Sequence, residues 1–405
     1  MDAGPIPNPA ENSFQRSWEP DELPGLYIHI PFCLRKCAYC DFYSITDGSL
    51  IPIFRSALRR EMRLYRGWAA SFDTLYIGGG TPSVLTAADL EGLITEIRTA
   101  FPIATDAEIT VEVNPADITE NLLASLRRSG VNRLSIGIQS FNDDSLALLG
   151  RRHTALQAIG AIHRARDAGF ENIGLDLIYG LPSSPAGRET SPEAEQTFAT
   201  WLATLDTAIR LNPEHLSCYQ LTMEEKTPLA KRCRQGELIL PGESRQADFF
   251  LRTAQILEES GYHHYEVSNF ARPGRESKHN RKYWNHVSYL GLGPAAHSFS
   301  GRERRWNHSS VDAYIGDLES GREPIESREI LSDEQLRMEA LFLGFRTRRG
   351  ICLERFKSRY GMDLLTGKRA ILKKLADEGL VEIRDGFFRP TRAGMAVADS
   401  LALIM

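Results

Sequence analysis

Two apolar rhythms alternate along the first half of the chain. GLYIHI (25–30), DTLYI (73–77), EITVEV (108–113), RLSIGI (133–138), NIGLDLI (172–178) and HLSCYQL (215–221) are short apolar runs, several with strict period two, and predict strands. The stretches 50–66, 86–100, 119–129, 154–168 and 194–210 space their apolar residues three and four apart and predict helices. Strands separated by helices imply repeated βαβ units and a parallel sheet. Six strands without a clear seventh or eighth predict a partial barrel, and an open doubly wound sheet fits the same rhythm.

The alternation also sorts faces. Leu134, Ile136 and Ile138 oppose Arg133, Ser135, Gly137 and Gln139; Ile109, Val111 and Val113 oppose Glu108, Thr110 and Glu112; Ile173, Leu175 and Leu177 oppose Asn172, Gly174 and Asp176. The apolar set goes under the helices, so the opposite face is small, polar and charged. A closed eight-stranded barrel fills its interior with branched apolar side chains. This pattern predicts a lined cavity instead; a half-solvated antiparallel sheet is the plainer alternative, and the intervening helices argue against it.

Every unusual motif falls at or just past the carboxyl end of a predicted strand, where parallel α/β folds build their sites. HIPFCLRKCAYCDFYS (29–44) follows the first, GGGTPS (78–83) the second, NP (114–115) the third, QSF (139–141) the fourth and YGLP (179–182) the fifth. Cys33, Cys37 and Cys40 provide three thiolates without a fourth. A structural zinc site is closed by four protein ligands, and an electron-carrying cubane also takes four. A cubane held by these three keeps one iron open; the zinc alternative recruits His29 or Asp41. Cys218, Cys233 and Cys352 are scattered and read as buried small hydrophobes. The three glycines predict close backbone approach and exposed amides for a polar ligand. Glu112 and Asp176, on the inward face, need a partner, and Arg151 is the candidate counter-charge.

Composition constrains the picture without choosing it. The 405 residues suggest roughly two to three domains, or a barrel with an appendage. With 42% hydrophobic and 25% charged residues the chain is of ordinary globular type, and a net charge of −5 disfavours a protein that coats nucleic acid. No apolar run approaches the roughly 20 residues that span a bilayer. The Pro-rich start lacks the features of a signal or transit peptide and reads as a flexible leader, 1–25, on a cytoplasmic protein. Residues 331–405 carry 14 Lys and Arg against 10 Asp and Glu, a net +4, which leaves −9 for the rest. There the pattern predicts helices at 333–345, 351–359 and 366–379, then a strand pair around Asp385-Gly386. This winged-helix-like domain is expected to be an accessory domain that contacts a partner. DNA binding is disfavoured because its basic residues are interleaved with acidic ones. A glycine-rich loop is expected at 289–301 and a linker at 301–330.

The Cys-x3-Cys-x2-Cys spacing with Tyr39 before the third cysteine resembles the radical S-adenosylmethionine (SAM) superfamily. In that superfamily three thiolates hold a 4Fe-4S cluster, SAM chelates the open iron, and one electron cleaves SAM to a 5′-deoxyadenosyl radical. YIHIPFC, GGGTPS, EVNP, RLSIGIQSFND, LGRRH, DLIYGLP and HNRKYW together resemble the oxygen-independent coproporphyrinogen III oxidase-like family, from about residue 26 onward. The resemblance implies a partial (β/α)6 TIM-like radical SAM barrel, 26–300 with its haem-motif region, and a C-terminal α+β winged-helix-like domain. It implies Cys33, Cys37 and Cys40 as 4Fe-4S ligands and Tyr27, Tyr39, Gly79, Glu112, Arg151 and Asp176 as SAM contacts. Gly80, Thr81 and Gln139 match contacts to a second SAM in the oxidase. Where the oxidase has a further cysteine this chain has Phe42, as in the haem-chaperone branch. HNRKYW (279–284) matches that branch's haem signature, with His279 the candidate axial ligand and Tyr283 one helical turn on. The function implied is a chaperone delivering haem to acceptor proteins, with an electron donor such as flavodoxin or ferredoxin as a further partner. The alternatives are porphyrinogen decarboxylation by the oxidase route and a metal-stabilised interaction protein without redox chemistry.

Overall fold

The computed structural model describes residues 22–183 and 192–405. Most of the expected leader, 1–21, and the segment 184–191 lie outside the described residues. Six strands fall where the alternation placed them: β1 (Gly25–Ile30), β2 (Phe72–Gly79), β3 (Ile103–Val113), β4 (Arg133–Gln139), β5 (Ile173–Tyr179) and β6 (His215–Gln220). Helices Ile51–Leu64, Ala87–Ala100, Glu120–Arg128, Ala155–Asp167 and Pro192–Arg210 lie between them. Local chemistry starts several: Thr86, Thr119 and Thr154 each accept a backbone N–H as N-cap, the last within a capping box closed by Gln157.

The chain divides into two compact units. The first gathers the described residues up to Ile138, with Gly150–Ile173 and Val287–Ile330; the second gathers Gln139–Leu149, Gly174–His286 and Leu331–Met405. In the first unit β1, β2, β3 and β4 pair in parallel and in chain order. In the second, β5 and β6 pair in parallel, and the hairpin His263–Glu266/Asn269–Ala271 adds antiparallel to β6. Chain-order pairing is that of successive barrel units rather than of a doubly wound sheet, whose order reverses.

The inward polar face is more than a cavity wall. Thr74, Thr110 and Arg133 are fully buried and Glu108 nearly so, whereas Tyr27, Glu112 and Gly137 are half-exposed. Registers Thr74↔Glu108 and Thr110↔Arg133 layer the buried set toward the strands' amino ends, and Glu112↔Ser135 lies one layer further on. A polar plug therefore closes the amino ends, and the face opens toward the carboxyl ends.

Two expectations about 289–330 fail. Tyr289–Leu292 is a strand parallel to β1, not a loop, and turns into the antiparallel strand His297–Ser300. Residues 301–330, expected as a linker, hold strands Glu303–Asn307 and Ile325–Ile330 around helix Val311–Glu319. Tyr314 of that helix is fully buried and donates to Glu61 Oε2 at 2.6 Å. The glycines misled: a Cβ at Gly291 would meet the His297 carbonyl oxygen at 2.1 Å and one at Gly293 the His29 carbonyl oxygen at 2.4 Å, so they permit packing rather than mark a loop.

In the second unit, helices Asp333–Phe345, Leu353–Tyr360 and Arg369–Asp377 surround a small antiparallel sheet. Phe345 and Phe388 are fully buried at its centre, rings 5.1 Å apart edge to face. Asp385 and Gly386, at φ 52° and 77°, make the two-residue turn between Val381–Arg384 and Phe387–Pro390. Ile351 and Cys352, expected inside a helix, form the third strand instead. No helix among the described residues is long and apolar enough to cross a membrane.

Candidate functional site: a cysteine loop and a buried histidine helix

The loop after β1 carries the three clustered cysteines, all free and all half-buried. It is anchored at both ends: Ile45 N donates to the Pro31 carbonyl at 2.8 Å and Cys33 N to the Ile45 carbonyl at 2.9 Å. His29 adds a deeper tie. Its Nε2 donates to the Tyr43 carbonyl at 3.0 Å, which leaves Nδ1 to accept from the Tyr27 hydroxyl at 3.1 Å. Burial holds its pKa down at about 4, so the ring is neutral and both nitrogens are engaged. That removes His29 as a fourth metal ligand in this arrangement.

GGGTPS packs directly on this loop. A Cβ at Gly78 would meet the Glu112 carboxylate at 2.9 Å, at Gly79 the His29 ring at 2.7 Å, and at Gly80 the Phe32 carbonyl oxygen at 2.7 Å. Gly80 N donates to the Ile30 carbonyl and Thr81 N to the Phe32 carbonyl, both at 2.8 Å, and Gly79 N to Glu112 Oε2 at 3.2 Å. The expectation of exposed amides is therefore corrected: close approach is what the glycines supply, and the protein itself uses these amides. The Tyr76 hydroxyl donates to Glu112 Oε1 at 2.8 Å, and Thr81 Oγ1 lies 3.3 Å from Cys33 Sγ. Asp41 is exposed.

Arg151, expected to face Glu112 and Asp176, is turned to the cysteines. Its Nη1 donates to Cys37 Sγ at 3.4 Å and its Nη2 to the Gly137 carbonyl at 2.5 Å. Burial alone would lower its pKa; Tyr39 and Cys37 outweigh this and raise it. The Cys40 thiol is pushed up first by burial and further by Cys37 and Cys33. Three free thiols on one loop, with the Arg151 guanidinium on one of them, fit a group that binds them as thiolates. Among the described residues no three His, Cys, Asp or Glu converge to hold a single metal ion. A cubane makes no such demand, since its thiolates bind separate irons. Phe42 and Leu34, on the same loop, are 71% and 59% exposed.

The second unit holds the remaining candidates. Asp176 is half-exposed, opposite Ser217 in register. Gln139 is buried with φ 70°, a left-handed conformation costly for a residue with a side chain and common at functional sites. Helix Lys278–Trp284 is capped by Ser277 and contains the His-Asn-Arg-Lys-Tyr-Trp motif. His279 is only 1% exposed, and its Nε2 lies 2.8 Å from the Tyr283 hydroxyl, so the two share a face as the spacing implied. Trp284 Nε1 is buried without a hydrogen-bond partner among the described residues.

Two kinds of residue escaped sequence reasoning. Glu61, fully buried, accepts from Gly293 N at 2.8 Å and Asn307 Nδ2 at 2.6 Å, as well as from Tyr314. Only its glutamate identity on the apolar side of an amphipathic helix hinted at this. Of the scattered cysteines Cys218 is buried as expected, but Cys233 and Cys352 are half-buried.

Comparisons with known proteins agree with this geometry. Residues 27–188 match the Radical SAM superfamily and residues 331–397 the HemN C-terminal domain. The chain is 36% identical over 384 residues to the heme chaperone HemW of Bacillus subtilis, covering 94% of this chain and 98% of that one. It is 32% identical to the mitochondrial radical S-adenosyl methionine domain-containing protein 1 of Bos taurus, over 94% of this chain and 86% of the relative. The crystallised coproporphyrinogen III oxidase HemN of Escherichia coli, a radical SAM enzyme, superposes with a TM-score of 0.78 at 25% identity, over 96% of this chain and 91% of that one. Six βα units, a three-cysteine loop and end-to-end similarity to these relatives converge: the chain belongs to the HemW family within the radical SAM superfamily.

Proposed function

We propose that this protein is a haem chaperone that holds a 4Fe-4S cluster on Cys33, Cys37 and Cys40, binds SAM beside it, and passes haem to acceptor proteins. The carrying observation is the cysteine loop itself: three half-buried thiols, no fourth, and a guanidinium on Cys37. A bound cluster with an open iron supplies a coordination site for SAM and a single electron for it. Tyr27, Tyr39, Gly79, Glu112, Arg151 and Asp176 are assigned to SAM, with Gly80, Thr81 and Gln139 as further contacts. Arg151 stabilises thiolate charge, Glu112 is preset by Tyr76 and Gly79 to accept hydrogen bonds, and His29 keeps the loop's exit in place.

Haem is assigned to the helix Lys278–Trp284, with His279 as ligand and Tyr283 as its partner. Trp284 Nε1, without a partner among the described residues, is a donor suited to a carboxylate such as a haem propionate. Because His279 Nε2 is engaged by Tyr283, ligation through that nitrogen requires the hydrogen bond to open. The protein is assigned to the cytoplasm, with a flavodoxin- or ferredoxin-like donor supplying electrons. Residues 26–300 and 331–405 are taken as its functional regions.

The oxidase reading draws on the HemN superposition, and Phe42 opposes it by standing where the oxidase has a cysteine. One anaerobically reconstituted sample, titrated with haem and then assayed with porphyrinogen, SAM and reductant, tests both. Haem binding without decarboxylation is expected; decarboxylase turnover overturns the chaperone assignment.

A further inference from the structure

In the RRH tripeptide, each of three successive side chains grips a different neighbour. Arg151 reaches Cys37 and the Gly137 carbonyl. Arg152 Nη2 donates to both oxygens of Asp117, at 2.8 and 2.9 Å. His153 Nε2 donates to the Ile138 carbonyl at 3.1 Å. From the other side, Arg35 of the cysteine loop donates to the Gly150 and Arg151 carbonyls at 2.6 and 3.1 Å. Gly150, at φ 73°, lets this segment lie against Ala38, whose amide nitrogen would be 3.3 Å from a Cβ there.

Asp117 is the meeting point of three loops. Ser83, the last residue of GGGTPS, donates its hydroxyl to Asp117 Oδ2 at 2.9 Å and accepts from Asn114 N at 3.0 Å. Asp117 N in turn donates to the Asn114 carbonyl at 2.9 Å. The Ser83 hydroxyl is thereby oriented, and the carboxylate receives three hydrogen bonds, two of them from a guanidinium. The Asp117 side chain is 10% exposed and that of Arg152 22%. A charge-assisted pair this sheltered holds its geometry far better than a surface ion pair.

We propose that Ser83, Asp117 and Arg152 form a clamp that positions Arg151 on the cysteine loop, and so couples the glycine loop to the SAM site. The three are positioning residues, and the inference rests on the radical SAM reading of the loop. Arg151 and Arg152 are adjacent, so a shift of one backbone unit moves both guanidiniums. Releasing Arg152 leaves Arg151 to find Cys37 without its counter-hold on the β2 and β3 loops.

The test uses the full chain, anaerobically reconstituted, with SAM as the probe. Iron and sulfide are counted, and SAM affinity is read from its perturbation of the reduced cluster's paramagnetic resonance spectrum. Asp117→Ala and Arg152→Ala should keep the cluster yet weaken SAM about 10- to 100-fold, as loss of outer-shell partners does. Arg152→Lys should recover part of the loss. In an Arg151→Ala background, Asp117→Ala should have no further effect, because its action runs through Arg151. An equal effect in both backgrounds marks a merely structural role and overturns the clamp, as does unchanged SAM affinity in Asp117→Ala. If the alanine variants do not fold, Ser83→Ala carries the same cycle with a smaller expected loss. A wild type whose cluster SAM leaves unperturbed removes the radical SAM reading and the clamp with it, a result distinct from failure of the clamp alone.

Discussion

The cysteine loop and the Lys278–Trp284 helix are both motif-bearing, yet they are built in opposite ways. The loop is half-open: its thiols are part-exposed, Phe42 and Leu34 stand in solvent, and its order comes from outside partners such as His29, Arg151 and the glycine loop. The helix is closed: His279 is buried and its ring nitrogen is already matched to a hydroxyl one turn away. An open site held by its surroundings can take up a cofactor without rearranging. A site whose ligand is satisfied internally must exchange one interaction for another, which makes binding conditional. A carrier that must also release its cargo is served by the second design, and a resident cluster by the first.

The sharpest way to break this comparison is at the cysteines. Cys33→Ala, Cys37→Ala or Cys40→Ala should each abolish the cluster, since no spare thiolate is at hand, whereas Cys218→Ala, Cys233→Ala and Cys352→Ala should keep iron and sulfide near wild type. Full iron loading in Cys37→Ala sinks the assignment. Next in size, Glu112→Gln and Asp176→Asn should weaken SAM binding about 10-fold or more while the cluster survives, read by titration against cluster spectra. Glutamine keeps an acceptor for Tyr76 but turns an NH2 donor toward Gly79 N, so this variant also gives up the tie between position 112 and the glycine loop.

At the closed site, His279→Ala should weaken haem binding and leave the cluster untouched. It also removes the hydrogen bond between His279 and Tyr283, which should lower stability by about 1 kcal/mol. Tyr283→Phe should instead release His279 Nε2 from this hydrogen bond and tighten haem binding. Optical titration of both variants decides this; equal weakening by both would mean that the tyrosine helps to bind rather than to hold back.

A smaller effect is expected from pH. Burial raises the Glu61 pKa to about 7, so between its ordinary value and about 7 the folded state holds a proton that the unfolded state has lost. Stability from that neutral carboxyl is present at low pH and lost as pH rises through about 7. His29 runs the other way: with its pKa held down at about 4, its contribution is full above the ordinary histidine value of 6.5 and lost as pH falls toward 4. Glu61→Gln should therefore gain on the wild type in melting temperature as pH goes from 5 to 8. The smallest effect should come from Glu319→Ala, which removes an exposed ion pair with Arg60 at 4.0 Å and should change stability by less than about 1 kcal/mol.

The order of β1 to β6 and of the helices between them was legible because each element carries its own periodicity, and because threonine caps and Asp-Gly turns act within a few residues. The cysteine trio was legible for the same reason, its spacing being local chemistry. What only the tertiary structure decided lies between elements distant in sequence. No local pattern says that Arg151 turns to Cys37 rather than to Glu112, that the glycine amides are consumed by β1 and Glu112, or that Asp117 gathers three loops. Glycine alone cannot tell a free loop from a strand packed against another backbone, which is why 289–301 misread. Nor does a histidine announce whether it is offered or already satisfied: His279 has the same letters either way, and its burial against Tyr283 depends on contacts the chain makes only once folded.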